Sequence, residues 1–387
     1  MVLNSRHRLA VVALVAGLSA ALVSACGPVH ADPKWAAVST LGNGAQIMLA
    51  FEDRLALVDS TDGKPVELTD STGKVRLDDK GNPRIWEAKP TDSTQTRFFS
   101  SPILLDKDTL LAGSYDNRLV QVDIPTATVN QTTSITSHVV SAPVRDGDLI
   151  YVGLSEDDLV ALKASDMTEA WRFKTQYGIW SSPIVVGDVL YFTSMDHFLY
   201  ALDKTTGKLN WKTDLEGAIT GTPAYNNGHL YVGSFARKLF DVSAENGKIL
   251  GEFATSDWVW SGPVLSQGIL YLADQSGMVY AVNADGLTKV WATQAATKPI
   301  PPAPLVTDKY IVVGSRDHNV YWLDRSNGKV VDTKAVAGEI LSELVLINPS
   351  STVKVPEPIV VVSSSANQEL LVAFTLERGQ RLWAYGR

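Results

Sequence analysis

Cysteine is almost absent from this sequence, since Cys26 is the only one among 387 residues. A chain with one thiol forms no internal disulfide and carries neither a Cys-x-x-Cys redox motif nor a zinc site built from several thiolates. Other short catalytic signatures are missing as well. The sequence has no Gly-x-Ser-x-Gly elbow, no His-Glu-x-x-His motif, no phosphate-binding loop and no dinucleotide-binding glycine set. These absences exclude the enzyme classes that such motifs identify.

Basic residues are also fewer than acidic ones: the sequence has 34 Lys and Arg residues and 42 Asp and Glu residues, for a formal net charge of −8. Residues 1–25 contain Arg6 and Arg8 and no acidic residue, so the remainder of the chain carries a formal charge of −10. An acidic chain without a Lys/Arg stripe is a poor candidate for binding the phosphate backbone of nucleic acid. We therefore expect no nucleic-acid partner.

Helix-length apolar runs free of turn residues are missing too, which excludes an α-solenoid. The chain has instead an internal repeat, marked by a proline that follows two mostly small residues. Successive marks are 41, 40, 40, 40 and 41 residues apart. A fixed period in this range is typical of repeat architectures. The marks are Pro102, Pro143, Pro183, Pro223, Pro263 and Pro304.

One unit of the repeat, from Ile179 to Trp211, shows what each repeat contains. Short stretches with alternating apolar residues are separated by turns rich in Gly, Asp and Asn. This pattern predicts four antiparallel strands joined by tight hairpins. Four such strands are typical of one blade of a β-propeller. We therefore predict an all-β fold, a β-propeller of four-stranded antiparallel blades.

Eight units can be counted from their second and third strands, and they predict eight blades. The first unit contains an insert from Ser60 to Ile85, which we predict to be an extended hairpin, and the eighth has Leu344 in place of the proline. Lys34-Trp35 resembles a fourth strand that would complete the last blade. A ring has to close, since exposing about five large apolar side chains at a gap would cost about 10 kcal/mol. Seven blades with a degenerate edge are the alternative.

The N-terminal segment has the features of a secretory signal, with a basic start and an apolar run from Leu9 to Val23 that is short for a membrane span. Val23-Ser24-Ala25-Cys26 resembles the lipobox of bacterial lipoproteins, whose cysteine is acylated. The resemblance implies a signal peptide over 1–25, a lipidated Cys26 with a short tether over 26–34, and one propeller domain over 35–387. The protein would be exported and anchored to the cell membrane or outer membrane, facing the periplasm or the cell exterior. An ordinary signal with an unrelated cysteine is the alternative.

Aromatic residues recur at the predicted mouth of the central channel. Strand one is innermost in a propeller, so the residue three positions before each proline lies at that mouth; among these residues are Phe99, Trp180 and Trp260. Trp180 and Trp260 are two repeats apart, about 90° around an eightfold ring, and Trp258 is close to Trp260. Two interpretations are open. The rings plug the channel and pack between blades, or they form a binding platform for an extended peptide, a sugar or a planar ligand.

Two histidines, His197 and His318, occupy equivalent hairpin tips on the same face, each directly after an aspartate. We include them in the candidate rim site. Aspartate is common in tight turns for conformational reasons, and a surface histidine requires no special role. Equivalent tips on different blades are far apart, so we expect no metal site.

The repeat carries motifs that are more specific than its period. One unit contains Ser182-Pro183, then Leu-Tyr-Ala-Leu-Asp at 199–203 and Thr-Gly-Lys-Leu-Asn-Trp at 206–211, and the next unit contains Tyr-Val-Gly-Ser at 231–234. Together these motifs resemble the pyrroloquinoline-quinone-like (quinoprotein) propeller repeat, over roughly residues 40–387. The resemblance implies a β-propeller. It does not by itself imply a function, because one fold hosts many different sites.

Two branches of that family imply different functions. Quinoprotein dehydrogenases that oxidise alcohols use an adjacent cysteine pair beside the quinone, which this sequence cannot supply, so we expect no PQQ cofactor despite the similar repeat. The propeller lipoproteins of the outer-membrane protein assembly machine resemble this chain in leader, lipobox, length and eight-unit organisation, which implies a scaffold. We therefore predict a non-enzymatic, lipid-anchored propeller that binds envelope proteins. A quinone-dependent dehydrogenase and an envelope carbohydrate-binding or sensor module are the alternatives.

Overall fold

The computed structural model describes residues 35–91 and 96–386, whose regular secondary structure is almost entirely β-strand. The strands form eight sheets of four antiparallel strands, and within each sheet the strands follow one another in chain order. The sheets form a ring, so the prediction of an eight-bladed β-propeller is confirmed and the seven-bladed alternative is wrong. Segments 1–25 and 26–34, with the predicted signal peptide and Cys26, lie outside the described residues. In the described part, no helix is long and apolar enough to cross a membrane.

The first four blades are formed by β1 (Ala36–Leu41), β2 (Gln46–Phe51), β3 (Arg54–Asp59) and β4 (Glu87–Ala88); β5 (Ile103–Leu104), β6 (Thr109–Ser114), β7 (Arg118–Asp123) and β8 (Thr128–Ser134); β9 (Val144–Asp146), β10 (Leu149–Gly153), β11 (Asp158–Lys163) and β12 (Glu169–Lys174); and β13 (Ile184–Val186), β14 (Val189–Thr193), β15 (Phe198–Asp203) and β16 (Leu209–Asp214). The last four blades are formed by β17 (Ala224–Asn226), β18 (His229–Ser234), β19 (Lys238–Ser243) and β20 (Ile249–Ala254); β21 (Val264–Ser266), β22 (Ile269–Ala273), β23 (Met278–Asn283) and β24 (Lys289–Gln294); β25 (Leu305–Val306), β26 (Tyr310–Gly314), β27 (Asn319–Asp324) and β28 (Val330–Ala335); and β29 (Val345–Ile347), β30 (Ile359–Ser363), β31 (Leu371–Thr375) and β32 (Arg381–Tyr385). A short 3-10 helix, Asn367–Glu369, lies between β30 and β31.

The fourth blade shows why this sequence forms these strands. Its first two hairpins turn at Gly187 and His197, which adopt positive φ angles of 60° and 77°, the conformation that tight hairpin turns require. The central strands β14 and β15 are apolar and buried over most of their length, whereas exposed and half-buried residues make up β16. The central strands therefore supply the core between blades, and the fourth strand forms the outer surface of the ring.

Tryptophans on four of the fourth strands join their blades to the next blade. Trp211 on β16 donates its indole N–H to the carbonyl oxygen of Ala244 over 3.2 Å, and the hydroxyl of Tyr191 donates to the same oxygen over 2.9 Å. The indole ring lies against Gly247, where an added Cβ would be 2.6 Å from Trp211 Cε3. Glycine in this turn therefore leaves room for the tryptophan of the preceding blade. The same contact joins Trp171 to Gly207, Trp291 to Gly328 and Trp383 to Gly63.

Side-chain contacts between the eighth and the first blade close the ring. Trp383 on β32 packs against Gly63 and donates its indole N–H to the carbonyl oxygen of Ser60 over 3.2 Å. Apolar side chains from both blades share one buried cluster. Each terminal blade consists of consecutive strands, and Trp35 directly precedes β1. The interpretation of Lys34-Trp35 as a strand that completes the last blade was therefore wrong.

The insert of the first blade is more complex than the extended hairpin we predicted. Three short segments of it bond in a cycle: the Leu68 N–H donates to the Arg84 carbonyl, the Arg84 N–H to the Arg76 carbonyl, and the Arg76 N–H to the Leu68 carbonyl. These three bonds have lengths of 2.7, 2.8 and 2.8 Å. The insert is thus a three-sided arm, because each segment pairs with both of the others.

Candidate functional site

Small residues before the first strands allow neighbouring blades to approach closely around the axis of the ring. The first strands of the sixth and seventh blades, β21 and β25, are in contact. Gly221 and Gly262 precede β17 and β21, and a Cβ added to Gly221 would lie 2.4 Å from the backbone nitrogen of Gly262. Thr220 also donates its hydroxyl to the carbonyl oxygen of Trp260. The residues before each repeat proline are therefore small because neighbouring blades leave no room for larger side chains there. The same contacts hold the residues at the channel mouth in place.

An aromatic cluster, which we define as Trp180, Phe235, Trp258 and Trp260, forms at this mouth. The rings of Trp180 and Trp260 meet edge to face with centroids 6.2 Å apart. Phe235 stacks on Trp258 at 5.1 Å and contacts Trp260 at 5.5 Å. The structure thus brings together three of the predicted rim residues. Side chains that start two blades apart meet because they extend toward each other across the mouth.

Phe235 was not part of the predicted site. It lies at the tip of the hairpin between β18 and β19, on the blade between those that follow Trp180 and Trp260. The sequence contained one indication of its role, because Phe235 is an aromatic residue at a hairpin tip that contains Asp in several other units. Phe235 is 9% exposed, while the three tryptophans of the aromatic cluster are half-buried. The cluster therefore packs within itself and still presents aromatic surface to solvent.

Phe99 belongs to a second group of rings. It contacts Tyr115 edge to face at 5.3 Å, and Tyr115 stacks on His138 with centroids 4.0 Å apart. Strand register makes Tyr115 equivalent to Phe235, and the register of the following blades makes His138 equivalent to Trp258. Among the described rings, none links this group to the aromatic cluster. The rim therefore carries the same stacked pair at two positions, three blades apart.

His197 and His318 lie at their predicted hairpin tips, in left-handed conformations with φ angles of 77° and 69°. The structure does not bring them together with the aromatic cluster. Over residues 35–91 and 96–386, no group of three or more His, Cys, Asp or Glu side chains is arranged to hold a metal ion. Their positions agree with a role in turn formation.

The aspartates at these tips connect each hairpin to the loop that enters the blade. Asp196 accepts hydrogen bonds from the Tyr200 hydroxyl over 2.7 Å and from the Gln176 backbone N–H over 2.9 Å. Asp274 does the same with Tyr280 and the backbone of Asp257, over 2.6 and 3.0 Å. These carboxylates hold the mouth loops in position, so they serve the rim indirectly.

The same pairing recurs at Asp317 and changes the acidity of both partners. Burial opposes ionisation of Asp317, but hydrogen bonds from the Thr297 backbone and the Tyr321 hydroxyl outweigh it and hold the pKa of Asp317 below its ordinary value. Burial and the hydrogen bond to Asp317 raise the pKa of Tyr321 to about 12. The pair therefore stays as a carboxylate and a neutral phenol near neutral pH, which suits a structural role.

Comparison with known proteins supports the fold and the family. The sequence matches the family described as outer membrane protein assembly factor BamB over residues 30–173, 131–218 and 195–386. A search of curated proteins finds no significant match. The crystal structure of BamB from Moraxella catarrhalis is similar with a TM-score of 0.67 at 16% identity, over 87% of this chain and 94% of that one. The computationally designed Ika8 protein gives 0.65 at 12% identity, over 92% and 97%. At such identities these structures show a shared fold alone.

Proposed function

This chain belongs to the family described as outer membrane protein assembly factor BamB, and from that membership we propose that it is a non-enzymatic scaffold. It holds partner proteins at the bacterial cell envelope and takes part in the assembly of outer-membrane proteins. It does so without PQQ or another cofactor. Acylated Cys26 anchors it to the membrane, with the propeller facing the periplasm or the cell exterior.

The aromatic cluster is the observation that carries this proposal. Tryptophan and other large aromatic side chains are enriched in protein interfaces, where they bury large areas with little loss of conformational freedom. Trp180 and Trp260 keep part of their surface accessible, and Tyr177, in the same loop as Trp180, is 51% exposed. A scaffold needs such a surface, and this one is held rigid by the contacts described above.

Capture of partners tests the scaffold. The full-length protein is purified from detergent-solubilised membranes after crosslinking, in the wild type and in a Trp180→Ala, Trp260→Ala double variant. We expect the wild type to retain specific envelope proteins and the double variant to lose most of them. Tyr225→Ala is the matched control, because Tyr225 is also an exposed aromatic residue but lies beside the turn between β17 and β18, at the end of the strand away from the mouth. Retention of every partner by the double variant would contradict the proposed surface.

The anchor and the lack of enzymatic activity are tested separately. Cys26→Ser should move the protein from the membrane fraction to the soluble fraction, because a membrane-anchored acyl chain requires the thiol. Unchanged partition would contradict lipidation at Cys26. Added PQQ with Ca²⁺ and an alcohol should produce no dye reduction. Turnover in that assay would contradict the non-enzymatic proposal and favour the dehydrogenase alternative.

A further inference from the structure

The channel mouth contains one more tryptophan than the sequence analysis placed there. When the blades are aligned on the pairing of their first and second strands, Trp35 takes the position in the first blade that Trp180 and Trp260 take in theirs. Trp35 is half-buried like the other two. With Phe99 at the same position of the second blade, four of the eight equivalent positions are aromatic. Aromatic side chains thus occupy half of the equivalent positions around the mouth.

Two residues after each of these eight positions, the chain has an uncharged residue in seven blades and Glu343 in the eighth. In the other blades the equivalent position holds an uncharged residue: Ala37, Ser101, Ala142, Ser182, Thr222, Gly262 or Ala303. The carboxyl group of Glu343 has no ion pair and no hydrogen-bond partner among the described residues. The side chain is exposed to water, yet burial raises its pKa. A carboxyl group in the central channel meets both conditions, because water reaches it while protein surrounds it.

A hydrogen bond brings the chain segment of Glu343 next to the segment of Trp35. The hydroxyl of Ser342 donates to the carbonyl oxygen of Ala36, across the junction of the eighth and first blades. Glu343 follows Ser342 in the chain and Trp35 precedes Ala36. Both residues therefore flank the same contact on the inner side of the ring.

We propose that the channel mouth binds a cationic side chain, a lysine or an arginine, presented by a segment of a partner protein. The cation lies against the tryptophan faces of the mouth and pairs with the carboxylate of Glu343. Cations are attracted to tryptophan faces more strongly when they are partly desolvated. A carboxylate without a partner in a confined space gains from a cation, because the effective dielectric constant there is lower than in bulk water. The inference rests on the proposed scaffold function and specifies the chemistry of the partner.

Peptide binding tests the inference with the full-length protein in detergent. The probes are acetyl-Gly-Gly-Lys-Gly-Gly-amide and the same peptide with N-ε-acetyllysine, followed by tryptophan fluorescence. We expect saturable binding of the lysine peptide and none of the acetyllysine peptide. Glu343→Gln should weaken lysine-peptide binding about tenfold, as expected for loss of a charge-assisted contact. Glu339→Gln is the matched control, since Glu339 lies in the same loop but pairs with Arg316 at 3.0 Å on the surface, and it should bind as the wild type does.

The outcomes separate this inference from the scaffold function. Equal binding of both peptides, or equal affinity of Glu343→Gln and the wild type, would overturn the cation site. The scaffold proposal would still hold after such a result if the Trp180→Ala, Trp260→Ala double variant lost its captured partners. Glu343→Asp keeps the charge, and its retention of lysine-peptide binding would support the site independently of any folding defect in Glu343→Gln. If Glu343→Asp lost as much binding as Glu343→Gln, with unchanged far-UV circular dichroism in both, a site that depends on the charge of residue 343 would be contradicted.

Discussion

The contact between Gly247 and Trp211 offers a measurable test of how neighbouring blades are joined. Gly247 lies in the turn between β19 and β20 with a φ angle of 75°, and the indole ring of the preceding blade covers it. Replacing Gly247 by Ala adds one methyl group at this point. We expect Gly247→Ala to destabilise the propeller by two separate effects.

The first effect is conformational. An alanine at this φ angle costs about 1–2 kcal/mol, because its Cβ crowds the backbone in the left-handed region. The second effect is steric. The new Cβ would lie 2.6 Å from both Trp211 Cε3 and Thr213 Oγ1, where 3.4–4 Å is ordinary contact. Overpacking of this kind costs about 1–3 kcal/mol. It also displaces the indole that donates to Ala244. Together the two effects should lower the free energy of unfolding by about 3 kcal/mol.

Gly268→Ala separates the two effects. Gly268 has a similar φ angle of 78°, but nothing lies within 4 Å of the Cβ it would carry. This control should therefore lose only the conformational part, about 1–2 kcal/mol. Urea unfolding followed by circular dichroism measures both variants, and a difference of about 2 kcal/mol between them corresponds to a midpoint shift of roughly 0.5 M for a domain of this size. If Gly247→Ala were no less stable than Gly268→Ala, the steric contact between the blades would be refuted.

Two further substitutions test the ring closure and one of the tyrosine–aspartate pairs. Trp383→Phe removes the indole N–H that bonds to Ser60 across the closing junction, and it should lower the free energy of unfolding by about 1–3 kcal/mol. An unchanged free energy of unfolding in Trp383→Phe would contradict the role of the closing bond. Burial and the hydrogen bond to Asp274 raise the pKa of Tyr280 to about 12, above the value of about 10 in an unfolded chain. The folded state therefore holds this proton more tightly, so the stabilisation is complete below about pH 10 and is lost as the pH rises toward about 12. Urea midpoints at about pH 9 and about pH 11 should fall less in Tyr280→Phe than in the wild type, and an identical fall in both would contradict the assignment.

Much of the fold could be predicted from the sequence because a blade is assembled from local pairing. The proline marks, the alternating apolar residues and the turn residues all act within about ten residues of their partners, as in hairpins generally. The number of blades followed from counting these units. The resemblance to the quinoprotein repeat pointed to the same fold, and the family match agrees with it. The three-sided arm was missed because its three segments pair in a cycle, which turn residues alone do not distinguish from a hairpin.

The candidate site depended on the tertiary structure to a larger degree. The sequence placed Phe99, Trp180 and Trp260 at equivalent positions of the ring, but only the structure shows that Trp180 meets Trp260 and that Phe99 belongs to another group. It also adds Phe235 to the cluster. Repeat period determines which blade a residue belongs to and which edge it faces. Distances between side chains from different blades depend on the radius of the ring and on rotamers selected by packing, and no pattern within one repeat contains that information.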